Sequence, residues 1–102
     1  MRLTDLDPRW IHRNLFVFRC PHCQGVWLTC KNAAMTRQEQ WDLFEEFIEV
    51  NHEQARSVIV PSKPEFAWEV KGTCFADYTV TPSIDASESG HWHGFITSGE
   101  IR

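Results

Sequence analysis

The residues able to do chemistry fall into two short clusters, Cys20-Pro21-His22-Cys23 and His91-Trp92-His93-Gly94. Two residues between paired cysteines let both sulfurs reach one ion, and zinc takes thiolate and imidazole ligands in a tetrahedron. Pro21 stiffens the loop, and Gly25 is expected to take a positive φ as the chain leaves the knuckle. A redox dithiol is the competing reading, but such a motif sits at the start of a helix in a βαβ setting. Here strand-like runs flank the pair, Leu15-Phe16-Val17-Phe18 before it and Val26-Trp27-Leu28-Thr29 after it.

Two thiolates leave a zinc site half complete. His91 and His93 are the best remaining pair, because strand residues two apart point to one side while Trp92 between them faces the other. Gly94 leaves room for close approach. The expected ligands of a structural Zn2+ are therefore Cys20, Cys23, His91 and His93, closing a loop of about seventy residues. His22 and Cys74 are the rivals. His22 has its backbone committed to the turn, and a lone cysteine such as Cys74 is more often a buried apolar thiol than a ligand. Cys30 ends its strand and ranks lower still. His12 and His52 are expected to face solvent. If one histidine is missing from the set, the open position could support chemistry.

These residues need elements to hold them. Residues 1–14 read as a polar arm anchored by Leu3, Leu6, Trp10 and Ile11, with a turn or helix start at Pro8. The two runs around the knuckle make a hairpin with both thiols at its tip. A helix is expected from Thr36 to about Arg56, opened by a Thr36/Glu39 capping box. Trp41, Phe44, Phe47 and Ile48 form its apolar face, and Glu39, Asp42, Glu45, Glu46, Glu49 and Glu53 make the rest acidic. Such a face is ordinarily just solvated, but it could also dock a basic partner. Further strands are expected at residues 58–60, 66–70, 74–80 and 91–97, with loops at Pro82-Ser83 and 87–90. The simplest account is one α+β domain over 1–102, a small zinc-ribbon-like antiparallel β fold with one inserted amphipathic helix.

Composition agrees. The chain has 102 residues, 42% hydrophobic and 13% aromatic with five Trp, which suits one folded domain whose modest core gains from a metal cross-link. No apolar run approaches the ~20 residues that span a bilayer. The first residues lack the apolar core of a secretory signal, so a cytoplasmic protein is expected. Four cysteines there point to metal or reactivity before disulfides. A net charge of −4 argues against nucleic-acid binding by bulk electrostatics, although Arg9, His12, Arg13 and Arg19 cluster near the start.

Three stretches in order carry a resemblance: Leu3-Thr4-Asp5-Leu6-Asp7-Pro8-Arg9-Trp10, then Phe18-Arg19-Cys20-Pro21-His22-Cys23, then Thr79-Val80-Thr81-Pro82-Ser83-Ile84 leading to His91-Trp92-His93-Gly94-Phe95-Ile96-Thr97-Ser98-Gly99-Glu100-Ile101. Together the chain resembles a family of small zinc-knuckle proteins of phages, prophages and bacteria, some of them mislabelled "ammonia monooxygenase". The resemblance implies a metal-binding fold with His91 standing where a Cys is usual in the closing motif, and it implies no established activity. The acidic helix looks like an insertion.

Three functions compete. A zinc-stabilised module that binds or inhibits another protein fits the acidic helix and the surplus of Trp. A nucleic-acid-binding zinc ribbon would need Arg9, Arg13, Arg19 and Lys31 to form a basic face. A metal-dependent hydrolase would need an open metal position and a general base, for which Asp77, Asp85 and Glu88 are candidates by type only. No His-Glu-x-x-His helix, deaminase His-x-Glu pattern, phosphate loop or nucleophile elbow is present. An enzyme is therefore the last of the three.

Overall fold

Leu15, Phe16, Val17 and Phe18 are all fully buried, which requires that both faces of their strand be covered. The computed structural model, which describes residues 1–51 and 59–102, shows what covers them. One sheet has the order β1 (Arg9–His12), β2 (Leu15–Arg19), β3 (Trp27–Lys31) and β4 (Ile59–Val60). Leu15 and Val17 point to one side, where they join Trp27, Ile59 and Phe44 and Phe47 of helix α1 (Arg37–Asn51). Phe16 and Phe18 point to the other side and join Leu28, Cys20 and Cys30 against Trp68, Val80, Ile84 and Ile96. Those last four belong to or flank the second sheet, β5 (Glu69–Lys71), β6 (Thr79–Asp85), β7 (His93–Thr97) and β8 (Glu100–Ile101). The order of layers is helix, sheet, sheet: an α+β fold.

The first sheet departs from the all-antiparallel expectation at its edge. Strand β4 pairs with β3 in parallel, Trp27 opposite Ile59 and Leu28 opposite Val60, while β1, β2 and β3 pair antiparallel. A parallel partner needs a crossover, and α1 lies in the connection that supplies it. Thr36 Oγ1 accepts the Glu39 N–H at 3.1 Å and Glu39 Oε1 accepts the Thr36 N–H at 3.4 Å, so the helix starts at the expected capping box. The last residues of the expected helix, 52–56, lie outside the described residues, as does His52. Gln40 is fully buried because its amide bridges backbone: Nε2 donates to the Ser62 carbonyl at 3.0 Å, and Oε1 accepts the Ser62 N–H at 3.1 Å. Trp41 is 37% exposed rather than part of the apolar face, and sits edge-on to Phe44.

Residues 1–14 are more ordered than an arm. Leu3–Leu6 is a 3-10 turn with both leucines buried between the sheets, and Arg9–His12 pairs with β2 as an edge strand. The expected strand over 74–80 is instead a turn followed by β6. Asp77 organises the turn by accepting the Thr73 and Cys74 N–H groups at 2.8 and 3.0 Å, a local bonding pattern that competes with a ladder. Strand β6 runs on through Pro82 and Ser83, against the expectation of a loop there; its pairing with β7 shifts register between Val80 and Ile84, which accommodates a residue with no N–H to donate. Among the described residues, no helix is long and apolar enough to cross a membrane.

Candidate metal centre

The knuckle is a continuation of the β2–β3 hairpin. The Cys20 N–H donates to the Val26 carbonyl at 2.9 Å, and the Gln24 N–H donates back to the Cys20 carbonyl at 2.7 Å. Closing so tight a loop requires one left-handed residue, and Gln24 takes it at φ 55°, not Gly25 as the sequence suggested. Gly25 contributes differently: its N–H donates to Cys23 Sγ at 3.5 Å. That bond, ahead of smaller contributions from the Cys20 side chain and the Val26 backbone, holds the Cys23 thiol below the usual thiol range. A stabilised thiolate is the form a metal needs. Cys20 is buried and Cys23 is exposed.

His91 arrives from the other sheet. The end of β6 folds through a 3-10 turn, Ser87–Ser89, and Gly90 leaves it in the left-handed region at φ 79°. The His91 N–H then donates to the Ala86 carbonyl at 3.0 Å, and the Ala86 N–H donates to the Trp92 carbonyl at 2.9 Å. Trp92 enters the core beside Phe18, ring centroids 6.2 Å apart and edge-to-face. Phe18 is two residues before Cys20, and Trp92 is next to His91. One aromatic contact thus places a thiol and an imidazole on opposite sides of the seam between the sheets.

The ligand atoms of Cys20, Cys23 and His91 all lie within 4.8 Å of one another, and Cys23 Sγ is 3.7 Å from His91 Nδ1. A tetrahedral zinc with its usual bond lengths separates two sulfurs by about 3.8 Å and a sulfur from a nitrogen by about 3.5 Å. The observed spacings need to close by no more than about 1.3 Å, which rotation of the exposed Cys23 side chain and the half-buried His91 ring toward Cys20 supplies, so the donor set fits a metal ion.

His93, the fourth expected ligand, is not brought into this group. Residues two apart share a side only within a strand, and β7 begins at His93; His91 and Trp92 precede it. His93 lies on the exposed face with Nε2 3.3 Å from Ser83 Oγ. His22 is exposed on the knuckle and stands outside the group. Cys74 is exposed in the Asp77 turn, whereas Cys30 is buried and its thiol is pushed well up by desolvation, which leaves it inert. His12 is half-buried, its Nδ1 accepting the Asn14 N–H at 3.1 Å.

The expected basic face is incomplete: Arg9 and Arg19 both lie against the Trp27 ring, but Lys31 is withdrawn from the surface. Lys31 is fully buried, with Nζ donating to Ser62 Oγ and the Lys63 carbonyl, both at 2.6 Å. Arg19 lies 4.0 Å from the centroid of the Trp27 ring. Arg9 pairs with Asp7 at 2.9 Å. The contacts that sequence reasoning missed, Gln40 with Ser62 and His93 with Ser83, carry no local signal; only strand registry and the crossover bring these partners together. Comparison with protein-family models, with curated proteins and with solved structures finds no match to this chain.

Proposed function

We propose that this protein is a zinc-stabilised protein-binding module, with a structural, zinc-ribbon-like centre on Cys20, Cys23 and His91. The observation that carries the reading is the origin of the donors: two thiols come from the β2–β3 turn of one sheet and the imidazole from the turn that leads into β7 of the other. A metal there adds a covalent-strength tie between two layers that otherwise meet through side-chain packing and backbone bonds such as the Trp68 N–H to the Lys31 carbonyl at 2.8 Å. The fourth tetrahedral position falls to His93, His22 or solvent, and the metal affinities of His93→Ala and His22→Ala separate these.

The binding surface in this reading is the outer face of α1. Glu39, Asp42, Glu45, Glu46 and Glu49 are all exposed, with Trp41 among them, which suits a basic protein surface with an apolar anchor point. The phage or prophage setting rests on the sequence resemblance, and a cytoplasmic location rests on the thiol chemistry. A nucleic-acid role is weakened by the burial of Lys31. A hydrolytic metal would need a base, and no carboxylate among the described residues joins the three donors.

Elemental analysis of the purified protein, with Cys20→Ser and Cys23→Ser beside it, tests the metal: one zinc per chain is expected, lost in both variants. Affinity capture from the host, repeated with Glu45→Lys and Trp41→Ala, tests the surface. A partner retained equally by all three proteins would remove α1 from the reading.

A further inference from the structure

Lys31 carries its amine into the core, and both of its hydrogen bonds go to uncharged oxygens: Ser62 Oγ and the Lys63 carbonyl, each at 2.6 Å. An ammonium buried without a bonded carboxylate is costly, so burial holds the group below the ordinary lysine range. The charged or titratable groups that face it are Cys30 of its own strand and Glu65, which oppose the shift, and Arg37 of α1, which adds to it. The Trp68 ring lies 5.7 Å from Nζ.

Ser62 stands in the wall of a cleft of ≈ 490 Å³, together with Lys63, Phe66 and Trp68. That size is usual for a small-molecule site. The amine is therefore behind the wall and its hydroxyl partner in it. Ser62 is half-buried and clamped on both sides, because Gln40 Oε1 accepts its N–H and Gln40 Nε2 donates to its carbonyl. A hydroxyl fixed at bonding distance from a desolvated amine is the arrangement of a Ser–Lys nucleophile and base. The rim carries both signs, Arg37 and Lys63 with Asp85 and Glu88, which suits an uncharged substrate better than an ion.

We propose that Ser62 is a nucleophile with Lys31 as its general base, and that the cleft hydrolyses carboxylic esters whose acyl group is a flat aromatic body resting against Phe66 and Trp68. In the neutral amine, one N–H stays on the Lys63 carbonyl and the lone pair turns to Oγ. Nζ takes the hydroxyl proton as Oγ bonds to the acyl carbon, and the carbonyl π pair moves onto its oxygen. The Lys63 N–H, next in the chain, forms no hydrogen bond with a described residue and is the donor at hand for that oxyanion. Collapse breaks the bond to the alcohol oxygen, which leaves with the proton from Nζ. Water then repeats the sequence on the acyl-serine: Nζ takes its proton, its oxygen bonds to the acyl carbon, and Oγ leaves with that proton, freeing the carboxylic acid. None of these residues is a proposed metal ligand, so the inference is independent of the metal reading.

The test uses 4-nitrophenyl benzoate and 4-nitrophenyl acetate on zinc-supplied protein in a Cys74→Ser background, which removes an exposed thiol that would consume ester. Nitrophenolate release is followed by absorbance, and acid-quenched samples are mapped by mass spectrometry. A benzoyl group on Ser62 is expected, with the benzoate favoured over the acetate once each is divided by its uncatalysed rate. Ser62→Ala should lose the mark and lower the rate by about a hundredfold. Lys31→Arg, which keeps a cation and its donors but cannot act as base, and Lys31→Met, of similar size, should do the same. Thermal unfolding of each variant reports folding separately. The parent's acylation rate should rise with pH and level off below the ordinary lysine value of ~10.4. No acylation above background, a mark on Lys31 or elsewhere instead of Ser62, parental rates in folded Ser62→Ala or Lys31→Arg, or a rate still rising beyond that pH would each overturn the inference.

Discussion

Cys23→Ser isolates the contribution of the metal better than any other substitution. Cys20 is buried, so a serine there adds an unsatisfied hydroxyl to the loss of a ligand, whereas Cys23 is exposed and its replacement costs the fold little else. A cross-link from the knuckle to His91 encloses about 70 residues, and loop-closure entropy for that length gives about 4 kcal/mol of stabilisation at 25 °C. For a domain near 100 residues this corresponds to a fall in Tm of about 20 °C. The assay is thermal unfolding followed by circular dichroism, with zinc and with chelator, for wild type, Cys23→Ser and Cys74→Ser. Chelation should lower wild type and Cys74→Ser by that amount and leave Cys23→Ser, already low, unmoved. The losses from chelator and substitution should not add, because both remove one interaction. The reasoning is refuted if Cys23→Ser keeps one zinc per chain, or if chelation shifts wild-type Tm by less than about 2 °C.

The other predictions probe what surrounds the centre. His93→Ala should leave the zinc stoichiometry unchanged, since His93 Nε2 faces Ser83, and competition against a chromophoric chelator will show whether affinity follows. Gly94→Ala should cost about 1–3 kcal/mol by chemical denaturation, because a Cβ there collides with the Arg102 carbonyl and the Trp92 ring. Its zinc affinity should fall too, as displacing Trp92 displaces His91. The Asp77 carboxyl is held below the usual range by the N–H groups of Cys74 and then Thr73, together with the Thr73 hydroxyl. Its folded pKa is depressed, so its contribution is present above the unfolded value near ~3.9 and is lost as pH falls through the folded value. Stability profiles below pH ~4 should therefore flatten in Asp77→Asn relative to wild type.

Much of the fold was legible where local rules act alone. Thr36 and Glu39 mark a helix start through a bond pattern confined to one turn, and it formed there. Leu15-Phe16-Val17-Phe18 reads as a strand whatever covers it. The turn at Cys74–Asp77 was missed because a side chain, not a run of propensities, satisfies the backbone. Strand β6 was misplaced for the opposite reason: Thr79 to Asp85 contains Pro82, and only a register shift against β7 makes room for it. The parallel pairing of β3 and β4 depends on a crossover spanning the whole of α1, which no short window contains.

The site divides along the same line. Cysteine spacing by itself determined that Cys20 and Cys23 can reach one ion, because two intervening residues let a tight turn bring both sulfurs together. Which imidazole meets them was decided only by tertiary structure. His91 and His93 are equivalent in spacing and type, but the strand starts at His93 and leaves His91 in the turn before it. The Phe18–Trp92 contact across the two sheets then carries His91 to the thiols while His93 stays with Ser83 on the open face. A ligand pair within one turn is a property of the chain. A ligand brought from about seventy residues away is a property of the core that packs the two sheets together.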